Sequence, residues 1–149
     1  MRIRFVTAAL TVSLLGALGA APVAMAGTTS FTLVGGAEND NGQADWQPGP
    51  GNHNFLGRSG SIDGQWNPTL VVKKGDKVNI TLFDNDQRGQ PEFLSIPELG
   101  LQTPVLHSVG QSATLSFVAV KPGTFEYSGA VSFGRHNHQH MTGEIVVNP

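Results

Sequence analysis

The sequence predicts an all-β domain built as a two-sheet sandwich, and three observations carry that prediction. Short runs of β-branched and aromatic residues recur with period-two alternation, and no amphipathic helical pattern competes with them. Gly, Pro, Asn and Asp punctuate the runs at turn spacing. At 149 residues the chain has the length of one domain, with about seven such runs to fill it.

The first 26 residues stand apart from that domain. Arg2 and Arg4 precede an apolar run from Phe5 to Leu18, and Ala24-Met25-Ala26 supplies small residues at the spacing of a cleavage site. The run is short, contains Gly16 and leads through Gly19 into Pro22, which argues against a membrane anchor. The expectation is a secretory signal over residues 1–26, a domain over residues 27–149, a periplasmic or secreted location, and no membrane span after cleavage.

Composition narrows the chemistry. Without Arg2 and Arg4, seven Lys/Arg face eleven Asp/Glu and the formal charge falls from −2 to −4, so nucleic acid is not an expected partner. The chain has no cysteine. An exported domain of 123 residues can bury a core without disulfides, but this one can form no thiolate bond to a metal.

Taken in order, residues 29–34 (TSFTLV) read as the first strand. Residues 35–68 are rich in Gly, Asn, Asp, Gln and Pro, a loop pinned by Trp46, Phe55, Ile62 and Trp66; His53 within it reads as a surface residue. Thr69–Val72 and Lys77–Phe83 read as strands joined by a Gly75-Asp76 turn, and the polar Asp84–Pro91 loop leads to a short strand from Glu92 to Ile96. Ser112–Val120 sets Ala113, Leu115, Phe117 and Ala119 on one face. Lys121-Pro122-Gly123 then turns the chain into Thr124–Tyr127, and Glu144–Val147 closes it. Phe93, Phe117, Phe125 and Tyr127 join the two tryptophans as core or loop anchors.

The stretch Gly123–Gly143 carries the chemistry. It holds His136, His138 and His140, three of five histidines, and Met141, the only methionine beyond the signal. In an extended segment the three imidazoles share one face, a plausible metal ligand set; the alternative is a polar loop whose histidines bind nothing. No GxSxG elbow, phosphate loop or HExxH helix occurs, and Asp84 and Asp86 read as a turn pair.

From about Ile62 to Val147 the wording resembles the cupredoxins, the plastocyanin-like small copper proteins. The matching pieces are NPTLVVKKGDKVNITL, SIPELG, SATLSFVAVKPGTFEY and HMTGEIVV. The resemblance implies a Greek-key β-sandwich with a metal held at one end. It places His136 and Met141 on the family's second histidine and methionine, Gly129 on its cysteine, and Glu92 on its first histidine. Blue copper sites depend on the thiolate, so the implied site is a non-blue one. Its donors would be Glu92, His136, His138, His140 and Met141, with His107 as a further candidate. The glutamate is similar to that of nitrosocyanin-like red-copper relatives.

The resulting expectation is an exported, cupredoxin-like metal-binding protein, copper before zinc or iron. It would serve copper handling or the redox chemistry of a periplasmic partner, more in the manner of a binding protein than an enzyme. A nitrosocyanin-like mononuclear copper or iron enzyme and a metal-free interaction domain are the alternatives.

Overall fold

The computed structural model describes residues 26–36, 54–86, 89–129 and 141–149. These form nine strands in two mixed sheets. The strands are β1 (Thr28–Gly35), β2 (Leu56–Gly57), β3 (Leu70–Lys73), β4 (Lys77–Asp84), β5 (Ser95–Ile96), β6 (Leu101–Gln102), β7 (Ser112–Val118), β8 (Gly123–Ser128) and β9 (Thr142–Asn148). One sheet has the order β2-β1-β4-β7 and the other β3-β9-β8-β5-β6, so neighbours in space are mostly not neighbours in sequence. The sandwich agrees with the expected class. The excess over seven strands lies in two-residue pieces such as β2 and β6, too short to show a periodicity.

Alternation decides which side chains form the core. Phe31 and Leu33 of β1, Val78, Ile80 and Leu82 of β4, Phe125 and Tyr127 of β8, and Ile145 and Val147 of β9 are buried between the sheets. β1 runs parallel to β4 from Thr28↔Lys77 to Gly35↔Asp84, and β4 pairs antiparallel with β7. In the other sheet β9 lies between parallel β3 and antiparallel β8. The Gly75-Asp76 turn carries the chain from one sheet to the other, since β3 and β4 do not pair.

Three sequence expectations need correction. Glu92–Ile96 is not one strand: Glu92 makes an isolated bridge to Leu106, and only Ser95–Ile96 forms a ladder. Trp66, expected as an anchor, is 47 % exposed; its backbone bridges Leu56 and its ring stays outside. Phe93 is only half-buried, because it falls on the outward row between buried Glu92 and Leu94, whereas Phe117, also half-buried, packs against the core from the inward row of β7 as expected. Tyr127 does anchor the loop. Its ring tilts against Phe55 with centroids 5.3 Å apart, and its hydroxyl donates to the Pro68 carbonyl at 2.6 Å. Trp46 and His53 lie outside the described residues.

Candidate functional site

The inward rows of the strands do not stay apolar to their ends. In β4 the buried series Val78, Ile80, Leu82 continues to Asp84, and before β5 the buried positions Ile96 and Leu94 are preceded by Glu92. On β8 the series Phe125, Tyr127 runs on to buried Gly129, and before β9 the row of Val147 and Ile145 reaches buried Met141. Period-two geometry therefore brings Asp84, Glu92, Gly129 and Met141 to one end of the sandwich, where β1 ends at Gly35.

Glu92 is the centre of this cluster. It is fully buried, its backbone is locked to Leu106 by two hydrogen bonds of 2.7 and 2.9 Å, and among the described residues neither carboxyl oxygen has a partner. A buried carboxyl so placed favours its neutral form. Burial pushes it up from an ordinary value of 4.5 to about 8, with further contributions from the charges of Asp86 and Asp84. A glutamate on an edge position is ordinarily solvated; this one is not.

Asp84 and Asp86 form the adjoining wall. Both are buried, the Asp86 amide donates to Asp84 Oδ1 at 2.9 Å, and the Gln90 amide donates to Asp86 Oδ2 at 3.1 Å. Asp84 Oδ2 is buried without a partner among the described residues. The pair does close the turn after β4, as read from sequence, and it also faces the carboxyl of Glu92.

Glycines make this crowding feasible. A Cβ on Gly35 would stand 2.8 Å from Glu92 Oε2 and 3.1 Å from Met141 Cε, so the carboxyl and the thioether meet over that residue. Gly36, at φ +62°, packs against Asp86, where a Cβ would lie 2.6 Å from the Asp86 Cβ. A Cβ on Gly129 would stand 2.6 Å from Met141 Sδ. The thioether therefore occupies the space beside Gly129, and the Gly129 amide donates to the Met141 carbonyl at 2.9 Å.

The structure thus brings together two of the expected metal ligands, Glu92 and Met141, as one carboxyl and one thioether. His136, His138 and His140 lie outside the described residues. Met141 follows His140 directly, and Gly129 precedes the same segment, so the chain carrying the three histidines leaves from and returns to this cluster. His107 is exposed, its amide donating to Gln111 Oε1 at 2.8 Å. Among the described residues no group of three His, Asp or Glu side chains is arranged to hold a metal. The Glu92 oxygens, without partners among the described residues and beside a thioether, fit part of a cation site, and further donors are needed to complete one.

Sequence reasoning underused Asp84 and Asp86. The signal was available: alternation extended past Leu82 points Asp84 inward, just as alternation extended back from Ile96 points Glu92 inward.

No protein-family model matches the sequence, and no curated protein matches it significantly. Solved structures do match. Reduced rusticyanin aligns with 18 % identity and a TM-score of 0.50 over 81 % of this chain and 79 % of that one. A histidine-to-methionine variant of rusticyanin aligns with 18 % identity and a TM-score of 0.52, over 81 % and 78 %. The copper-containing nitrite reductase of Thermus scotoductus aligns with 25 % identity and a TM-score of 0.46, over 83 % of this chain but 28 % of that one. Identity at the rusticyanin level speaks for the fold. Taken with the two mixed sheets and their strand order, it shows that this chain is a cupredoxin-fold protein.

Proposed function

We propose that the protein is an exported, cupredoxin-like copper-binding protein with a non-blue site, serving copper handling or the redox chemistry of a partner. The site would be held by Glu92 and Met141 together with His136, His138 and His140. The observation that carries this reading is Glu92, a fully buried carboxyl whose two oxygens have no partner among the described residues. Such a group is costly in a protein interior unless something charged or hydrogen-bonding meets it. The thioether at the same spot, and the histidine-bearing segment that ends there, supply donors of the kind a copper ion takes. Copper when bound would supply a Lewis-acid or one-electron centre.

The chain's own residues set the character of the site. Asp84 and Asp86 beside Glu92 concentrate negative charge, which favours a divalent over a monovalent cation at a given set of donors. At pH 7 Glu92 holds its proton and releases it on meeting a cation. Without cysteine the site has no thiolate, so the intense charge-transfer colour of blue copper is not expected. Rusticyanin, described as a copper protein, shares the fold and lends the metal its plausibility.

Calorimetric titration with Cu(II) tests the reading, using the full-length gene product recovered after export and treated with chelator. One tight equivalent with weak visible absorption is expected. Affinity should fall in a His136→Ala, His138→Ala, His140→Ala triple variant, and separately in Glu92→Gln. An unchanged affinity in both variants rejects the proposed ligand set, and an intense blue colour rejects its non-blue character.

A further inference from the structure

The opposite end of the sandwich holds a further buried carboxylate, in a different arrangement. Asp76 is 9 % exposed and sits in the turn between β3 and β4. Its Oδ1 accepts from the Gly27 nitrogen at 3.0 Å, and its Oδ2 accepts from Thr29 Oγ1 at 3.2 Å and from the Lys73 amide at 3.1 Å. Gly27 is itself fixed in place: its carbonyl accepts from the Lys77 amide at 2.8 Å, and the β1–β4 ladder begins at the next residue. A Cβ on Gly27 would lie 3.2 Å from Asp76 Oδ1, so the absence of a side chain lets the nitrogen approach. Ala26, preceding it, is exposed and lies against the Gly75 turn.

Gly27 is also the residue that follows the small-residue pattern Ala24-Met25-Ala26. We propose that the peptide bond between Ala26 and Gly27 is the processing site, and that the α-ammonium created there docks on Asp76 as a built-in ion pair closing this end of the fold. The inference rests on the export reading but not on the metal site. Hydrolysis by an export-linked signal peptidase breaks the Ala26 C–N bond; water supplies the hydroxyl to the Ala26 carboxyl and a hydrogen to the Gly27 nitrogen. The new carboxyl then ionises and the new amine takes up a proton.

The receiving carboxylate is prepared for that charge. The Lys73 and Gly27 nitrogens, with smaller help from Thr29 and the Lys73 charge, hold Asp76 below the ordinary carboxylate range despite its burial. Before cleavage Gly27 offers one amide hydrogen; afterwards it offers an ammonium to the same oxygen, and a charge-assisted bond is the stronger one. Lys73, Lys74 and Lys77 flank this turn as cations, and Asp76 is the carboxylate that the Gly27 nitrogen already reaches.

The test starts from the full chain, expressed with export and recovered folded. Mass spectrometry of the terminal peptide is expected to give Gly27 as the first residue. Pulse labelling of the folded protein at pH 7 with an amine-reactive ester should modify that terminus about tenfold more slowly than in urea, the factor that one pH unit of added protonation gives. Asp76→Asn, carried through the same export, should abolish the protection. A chain that retains residues 1–26 overturns the inference together with the export reading. A first residue other than Gly27, or folded wild-type protein that labels as fast as in urea, overturns it alone. So does folded Asp76→Asn protein with undiminished protection. If Asp76→Asn does not fold, the wild-type comparison in and out of urea still decides.

Discussion

Replacing Glu92 by glutamine should remove a loss of stability that the wild type undergoes as pH rises through the neutral range. In the metal-free fold Glu92 keeps its proton up to about pH 8, whereas the unfolded chain releases it near the ordinary value of 4.5. A raised folded value means that stability is fully present below the unfolded value and is lost as pH rises toward the folded one. Within that window the folded state binds one more proton than the unfolded state, and the loss is about 1.4 kcal/mol per pH unit. Between pH 5 and pH 7.5 the wild type should therefore lose about 3 kcal/mol through this one group. Glutamine has nearly the same shape and does not titrate, so the variant lacks this slope while keeping every other group. Urea unfolding of chelator-treated wild type and Glu92→Gln at several pH values measures the gap directly, because contributions common to both cancel. The gap should move by about 3 kcal/mol in favour of the variant as pH rises. Parallel stability curves would refute the reasoning, since Glu92 would then be ionised or solvated in the fold.

Three other outcomes follow from the same geometry. Asp86→Asn removes one of the charges that raise Glu92, so infrared titration of the Glu92 carboxyl should find it ionising at lower pH than in the wild type. Gly129→Ala sets a methyl group against Met141 Sδ and should cost about 1–3 kcal/mol in thermal or urea unfolding as the thioether is forced aside. Tyr127→Phe leaves the Pro68 carbonyl without its buried donor and should cost about 1–3 kcal/mol, measured the same way.

Much of this architecture was legible because alternation is a local signal. Val78, Ile80 and Leu82 announce both a strand and the face it buries, and the same holds for Phe125 and Tyr127. The pairing of strands was less legible: nothing in Leu70–Lys73 says that it lies parallel to β9 some 75 residues away, since that choice is made by packing of whole sheets. Glu92 was singled out through a resemblance, but its burial was not, because a carboxyl beside Pro91 reads as solvated until alternation from Ile96 and Leu94 is carried past the end of the apolar run. The thioether filling the space beside Gly129 is a contact between β8 and the start of β9, and no spacing within either segment encodes it.

Whether this end of the sandwich is a working site or a vestige can be argued from what a stable scaffold would place there. Leu94 and Ile96 share the inward row with Glu92, and an apolar residue at the third position would complete the core. A metal-free interaction domain has no use for a carboxyl in that place, since among the described residues its two buried oxygens lack partners and Asp84 and Asp86 repel its charged form. Buried ionisable groups replaced by well-packed apolar ones of similar volume are often neutral or stabilising by about 1–4 kcal/mol. Glu92→Met matches the length of the side chain and should therefore raise the stability of the chelator-treated protein at pH 7.5, while abolishing any stabilisation that added Cu(II) gives the wild type. The two effects must occur together, because a residue retained for binding at the expense of stability shows that opposition. If Glu92→Met is destabilised by several kcal/mol without metal, the carboxyl is a structural element of the fold and is not retained for a cation. If Cu(II) stabilises wild type and variant equally, the copper site does not include Glu92.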